Sequence, residues 1–552
     1  MPTIDDADLA YWRARAEAAE ARAEAVEARA ERAEALAERL QAWVEELGEQ
    51  VAVLSRMLFG DSSEKQNSGR SAGAGGEGVD QRAGDGGKPG KRGQRPGSVG
   101  HGRRDYSHLD TREEIHDVPE ADRVCAGCGT VFEPLGTEDS EQIDWRVTIT
   151  RIVHRRRRYR RRCACQGPRT VIAPVPPKPV PKGRFTANFL ARLLFDKYVL
   201  GLPLHRIAKA LAAEGLDVAE GTLSGALKAV HDLLGPLEAA FAARNAAATH
   251  VHADETTWRV FERIEGKDGT RWWLWVFVAD DTVVFVMDPT RSAKVAERHF
   301  GIDRQAGVLP EGRRLVLSSD FFTVYQSLAR VEGVDPLWCW AHIRRYFIRA
   351  GDAHTHLRVW ADAWVERIAV LYLAHRDLAA AQPGADPHRK AGRAFDRALA
   401  DIDAARIEQA ALTGVHPAVV KVLATLDREW DGLVRHRDFP DIALDNNTAE
   451  RALRSPVVGR KNYYGAQAEW AAHLAARVWT ITATAERNHQ EPLEVLTTYL
   501  NACAQAGGRP PEGTALEEFL PWLPAPGSAG SRDHDPDGAF PPDQSGHDGP
   551  AP

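Results

Sequence analysis

Cysteine is scarce in this chain, with six residues in 552. So few thiols exclude a disulfide framework, and four of them sit in two close pairs, which favours a metal site in a reducing compartment. Long apolar runs are absent too. No stretch is long enough to span a bilayer and there is no signal peptide, so we expect a cytoplasmic protein with no membrane partner. Nor is there an overall excess of positive charge, the formal net charge being −7. That does not exclude nucleic acid, because phosphate contact depends on local patches. Residues 1–65 hold 8 basic and 15 acidic side chains, and residues 525–552 one basic and five acidic. The intervening chain is therefore mildly basic, with dense positive clusters. Its length suggests several domains.

What is present begins with a seven-residue repeat over 1–65. The apolar seam runs from Leu9 and Trp12 to Leu54 and Leu58 in steps of three and four, which predicts a coiled-coil helix and self-association. A lone charge-laced surface helix is the alternative. The first half of the seam is mostly Ala, so Leu40 to Leu58 should supply most of the association energy. Residues 66–105 are Gly-rich and basic and cannot build a core, so they read as a linker that solvates or touches phosphate.

Residues 106–180 read as a small zinc-ribbon-like module. Cys125 and Cys128 flank Ala126-Gly127 in the manner of a zinc knuckle, and a strand-like stretch, Val147 to Tyr159, leads to Cys163 and Cys165. Four thiolates in two pairs suit one structural zinc ion, although the second pair has a single intervening residue and buried free thiols are the alternative. Arg155, Arg156, Arg157 and Arg158 lie between the pairs, as a solvated face or a DNA-backbone contact.

Residues 181–240 read as helical. Pro203 can open a helix, Glu214-Gly215-Leu216 makes a turn, and a second helix runs from Val218 to Leu234. This is helix-turn-helix spacing, with Thr222 and Lys228 as candidate DNA contacts, though plain helical cores look similar. From 241 to 345 the pattern changes. Strands are predicted over Thr249–Phe261, Arg271–Ala279 and Thr282–Met287, a helix over Ser292–Phe300, and further strands over Arg314–Ser318 and Leu337–Trp340. Three antiparallel strands followed by alternating helix and strand give an α/β sheet. Residues 346–440 are almost wholly helical. Residues 441–507 carry two more helices, and 508–552 read as a disordered tail. The fold class expected is a multidomain α+β protein.

Three acidic motifs stand out. His252-Ala253-Asp254-Glu255-Thr256 and Ser319-Asp320-Phe321-Phe322 place Asp254 and Asp320 at or just past strand ends, and Asp445-Asn446-Asn447-Thr448-Ala449-Glu450-Arg451 places Glu450 on a helix. Each acid alone could be a surface cap. Together, three carboxylates in one pocket repel unless cations sit between them, and hard oxygen donors select two Mg2+ or Mn2+ ions. Such a pair is suited to in-line displacement at phosphodiesters. Arg451, Arg454, Arg460, Lys461, Arg344 and Arg345 supply candidate phosphate contacts nearby.

These blocks, together with Gly201-Leu202-Pro203-Leu204-His205-Arg206, Cys339-Trp340-Ala341-His342 and Gly459-Arg460-Lys461-Asn462-Tyr463-Tyr464, resemble the insertion sequence 66 family of bacterial DDE transposases. The resemblance runs from about Leu58 to Leu500. It implies a ribonuclease-H-like catalytic core with Asp254, Asp320 and Glu450 as its triad and an all-helical insertion between the second Asp and the Glu. It implies binding to the ends of an insertion sequence and to target DNA, magnesium-dependent cleavage and strand transfer, a nucleoid-associated location, and small accessory proteins from the same element. A non-catalytic DNA-binding regulator on a decayed scaffold is the alternative, and a plain nuclease a third.

Overall fold

The computed structural model describes residues 107–523, save 136, 146, 164, 304 and 311. The predicted coiled coil, the Gly-rich linker and the tail beyond 523 lie outside the described residues. Those described fall into two compact units, 107–147 and 148–523.

In the first unit a short 3-10 turn, Glu120–Arg123, leads into a bridge between Val124 and Val131. The knuckle is closed by two backbone bonds, Cys125 N–H to Thr130 O (2.9 Å) and Gly129 N–H to Cys125 O (2.8 Å). Gly129 takes φ +72°, where glycine alone is unstrained.

The second unit opens with a two-stranded ribbon, β1 (Arg158–Arg160) and β2 (Thr170–Ile172). The long strand expected from Val147 to Tyr159 is not formed. Ile152 and Val153 stay exposed, and an arginine-rich segment has no apolar face to bury. Four helices follow: α1 (Ala187–Leu194), α2 (Leu204–Ala213), α3 (Glu220–Val230) and α4 (Gly235–Ala246). The helix expected over Val218–Leu234 is thus shorter and ends in a separate 3-10 turn, Asp232–Leu234.

A five-stranded mixed sheet comes next: β3 (His250–Arg259), β4 (Arg271–Val278), β5 (Val283–Asp288), then α5 (Lys294–Phe300), β6 (Leu315–Ser319), α6 (Thr323–Leu328) and β7 (Val334–Trp338). Strand order is β5-β4-β3-β6-β7, antiparallel on one side of β3 and parallel on the other. β7 begins three residues earlier than expected. It is an edge strand, and an edge tolerates Pro336, which reads in sequence as a breaker. The helical run is α7 (Trp340–Ala353), α8 (Arg358–Ala379), α9 (Asp386–Ala410), α10 (Pro417–Arg428) and α11 (Trp430–Val434). α12 (Asn447–Tyr463), α13 (Glu469–Arg487), α14 (Pro492–Gln505) and α15 (Thr514–Glu517) close the unit.

Helices cover both faces of the sheet, so its strands are apolar on both sides. Val251, Ala253, Trp275 and Phe277 pack with α5 to α11. Trp258, Leu274, Val276 and Phe285 pack with α1, α3, α4 and α12 to α14. Residues 508–523, expected within a disordered tail, instead belong to this second core. Phe519 meets Tyr499 edge-on at 5.0 Å and Trp522 meets Phe241 at 5.6 Å. A Pro/Gly-rich composition hid a short apolar anchor.

Candidate active site

Alternation along β3 puts His250, His252, Asp254 and Trp258 on one face and Val251, Ala253 and Glu255 on the other. Trp258 belongs to the core beneath α12, so Asp254 faces that helix. In the parallel register His250 pairs with Val316 and His252 with Ser318. Carried two residues beyond the paired stretch, the same register would bring Asp254 beside Asp320, which follows the end of β6. Asp320 Oδ1 accepts the Phe322 N–H at 2.9 Å, which fixes the turn into α6. Asp254 Oδ1 accepts the Glu255 N–H at 2.8 Å.

Glu450 sits in the first turn of α12. Its Oε1 lies 3.8 Å from His342 Nε2 and 3.8 Å from an Arg345 guanidinium nitrogen. Burial pushes the Asp254 carboxyl well above the usual range, and the charges of Glu255, Asp320 and Glu450 push it the same way. The fold therefore brings all three predicted acids into one electrostatic neighbourhood. Among the described residues, no three His, Cys, Asp or Glu converge closely enough to hold a metal ion.

Residues around the acids that were not singled out in sequence hold them in place. Asn446, just before α12 and 1% exposed, donates to Ala253 O (2.8 Å) and bonds His252 Nδ1 (3.1 Å). Its backbone N–H donates to Cys339 Sγ (3.2 Å), the buried start of α7. On the opposite face of β3, Glu255 is buried in an ion pair with Arg291 (2.5 Å) and accepts the Tyr325 hydroxyl. Both residues lie inside motifs read in sequence. The signal for Glu255 was a charge following Val251 and Ala253 on the same strand face.

The histidines are structural partners. His250 Nε2 meets Ser318 Oγ at 2.9 Å. Burial, and the neighbouring His252, lower His250 to about 3, and burial lowers His252 to about 4, so both are neutral at pH 7.

The cationic candidates divide. Arg451, Arg454 and Lys461 are exposed on α12, as are Thr222 and Lys228 on α3 and Arg155, Arg157 and Arg158 before and on β1. Arg156 donates to Ala173 O at 2.7 Å. Arg344 and Arg345 are half-buried on α7. Arg460 is partly spent on β3, donating to Thr256 Oγ1 (3.1 Å) and to Thr257. Of the cysteines, Cys125 and Cys128 lie in the first unit and Cys163 and Cys165 in the second. Hydrogen bonds from Thr130 and then Cys125 lower the Cys128 thiol, and bonds with Cys165 lower Cys163.

No helix among the described residues is long and apolar enough to cross a membrane. Two proteins of Sinorhizobium fredii are similar over most of their length. Uncharacterized protein y4hP is 25% identical over 442 residues, 74% of this chain and 75% of the relative. Uncharacterized protein y4qI is 27% identical over 441 residues, 77% of each. Among solved structures, the Mos1 strand transfer complex matches 41% of this chain and 79% of its own at 14% identity, with a TM-score of 0.13, a likeness too slight to carry an argument. The model of the transposase IS66 family matches residues 182–474, from before α1 into α13 and across every strand of the mixed sheet. That span is more than half of the sequence, and the chain belongs to the IS66 family of transposases.

Proposed function

We propose that the chain binds the ends of its insertion sequence and cuts and joins DNA there, with Asp254, Asp320 and Glu450 holding two Mg2+ or Mn2+ ions. What supports this reading is the parallel pairing of β3 with β6 just before Asp320, with Glu450 in the first turn of α12 and the charges of Asp320 and Glu450 both raising the Asp254 carboxyl. The donor set fits hard cations: all three are carboxylates, and Asp254 is buried among like charges that a cation relieves. When bound, such a pair activates a water or 3′-hydroxyl and stabilises the leaving oxygen. The chain's own residues hold the acids in register, and Asn446 fixes α12 against β3. The strand order, with three antiparallel strands and two parallel ones around β3, supports a ribonuclease-H-like core.

Further parts belong to the same proposal. α2, the Gly215 turn and α3, with Thr222 and Lys228 exposed, support a helix-turn-helix-like DNA contact. Exposed arginines before and on β1 and on α12 supply phosphate contacts. The two close pairs in sequence, Cys125 with Cys128 and Cys163 with Cys165, are the ground for structural zinc, which metal analysis of the purified protein tests. The sequence repeat over 1–65 supports self-association.

Asp320→Asn tests the central claim. It should cut magnesium-dependent strand transfer by at least about a hundredfold while binding to the element's ends persists. Full joining activity in that variant would refute the assignment. Nicked or cut products without joined ones from the unmodified chain would make it a nuclease instead.

A further inference from the structure

Beyond Asp254, along the same face of β3, a cavity of about 460 Å³ opens beside His250 and His252. Thr448 and Arg451 of α12's first turn form one wall, and Arg487 at the end of α13 another. Sequence reading singled out Arg451 as a phosphate contact and passed over Arg487 entirely.

Three arginines and two aspartates line this cavity, and of the arginines Arg451 and Arg487 are in no ion pair among the described residues. Arg451 makes one long contact, 3.4 Å to Thr448 Oγ1. Arg487 donates its Nε to the backbone carbonyl of Asp280 at 2.5 Å. Asp281, also on the rim, is already taken by Arg244 at 2.8 Å. Burial opposes the Arg487 charge; Asp280 and Asp281 favour it and the Arg451 charge opposes it. Two cations held near one another in a recess, with hydrogen-bonding capacity left over, form a receptor for an anion.

Position says which anion. His252 and Asp254 are two residues apart on one strand face, or roughly 6.5 Å. That is comparable to the step from one phosphate to the next along an extended strand. Arg451 follows Glu450 directly, so the wall of the cavity and the acidic cluster share one helical turn. Resting on the reading of Asp254, Asp320 and Glu450 given above, we propose that this cavity seats a phosphate of the cut strand next to the reacting one, held by Arg451 and Arg487. It fixes where along the strand the reaction falls.

The test uses the full chain, without divalent metal, and duplexes made from the DNA flanking its gene. Arg487→Gln should weaken binding about tenfold and reduce the slope of log affinity against log salt by about one. A single methylphosphonate, which removes one phosphate charge, should weaken binding by the wild-type chain by a like factor at one position beside the cut. At that position it should cost Arg487→Gln clearly less than it costs the wild-type chain, because one of the two contacts is already gone. Arg487→Lys should restore part of the slope. If Arg487→Gln does not fold, Arg451→Gln is scanned in the same way and carries the same expectation. An unchanged salt slope, or losses that multiply at every methylphosphonate position, would overturn the proposal. The Asp320→Asn outcome separates the two claims. If that variant loses joining while the Arg487 results fail, only the phosphate seat is wrong. If Asp320→Asn joins DNA normally, the acidic cluster is misassigned whatever Arg487 does.

Discussion

Asn446 and His252 are 194 residues apart in sequence and share a hydrogen bond of 3.1 Å between Oδ1 and Nδ1. The amide nitrogen of Asn446 donates to Ala253 O, so its oxygen must accept, and the imidazole carries its proton on Nδ1. With the bond from its backbone to Cys339, one small side chain ties the start of α12 to β3 and to the start of α7. Asn446→Ala leaves the Ala253 carbonyl and the His252 N–H buried without partners. We expect a loss of about 2–4 kcal/mol in urea unfolding. A loss below about 0.5 kcal/mol would mean that α12 is seated by apolar packing alone.

That brace shows where sequence reading stops. Period-two alternation placed β3, β4 and β5 to within a few residues, because each strand is long and flanked by turn residues. Asp320 was legible as an acid just past a strand end and Glu450 as a helical one, whereas Asp254, expected to end its strand, lies in the middle of β3, which runs on to Arg259. The strand ending at Asp320 was expected beside β3, and β3 pairs with β6 in parallel; what could not be read was the register of that pairing. Asn446 was quoted within its motif, yet nothing in a row of polar residues says which one turns inward. Edge strand β7 was misplaced because Pro336 is tolerated only where one side of a strand is free. The anchor at Phe519 and Trp522 was masked by the Pro and Gly around it.

The His299 ring gives a pH dependence that can be measured. Its Nε2 lies 2.7 Å from Asn245 Oδ1, and the ring stacks on Phe277 at 4.3 Å. Burial, with the Arg313 charge beside it, lowers His299 from 6.5 to about 3. The unfolded chain therefore takes up a proton near pH 6.5 that the folded chain refuses. Stability from this group is complete above pH 6.5 and is lost as pH falls towards 3. Between pH 7 and 5 the loss should be about 1–2 kcal/mol. His299→Gln should shrink the difference in unfolding free energy between those two pH values by that amount. An unchanged difference would mean that His299 titrates in the folded state as it does in the unfolded one.

At its far end α12 is held by a close approach of backbone. Tyr464 ends the helix at φ +64°, and Gly465 follows at φ +148°. Ala466 then donates to Arg259 O (2.8 Å) and accepts from the Phe261 N–H (2.9 Å), extending the sheet beside β3. A Cβ on Gly465 would lie 2.3 Å from Arg259 O, the same oxygen that Ala466 needs. Neither that carbonyl nor the chain beside it can retreat without breaking the bridge, so Gly465→Ala carries a steric cost on top of its conformational one. Gly307 supplies the comparison, with φ +67° and nothing within 4 Å of an added Cβ. Gly307→Ala should cost about 1 kcal/mol, the conformational part alone, and Gly465→Ala about 2–4 kcal/mol. Thermal unfolding of the two variants side by side measures the difference. Equal melting temperatures would show that contact with Arg259 does not hold this end of α12, and that the helix carrying Glu450 depends on Asn446 for its seat.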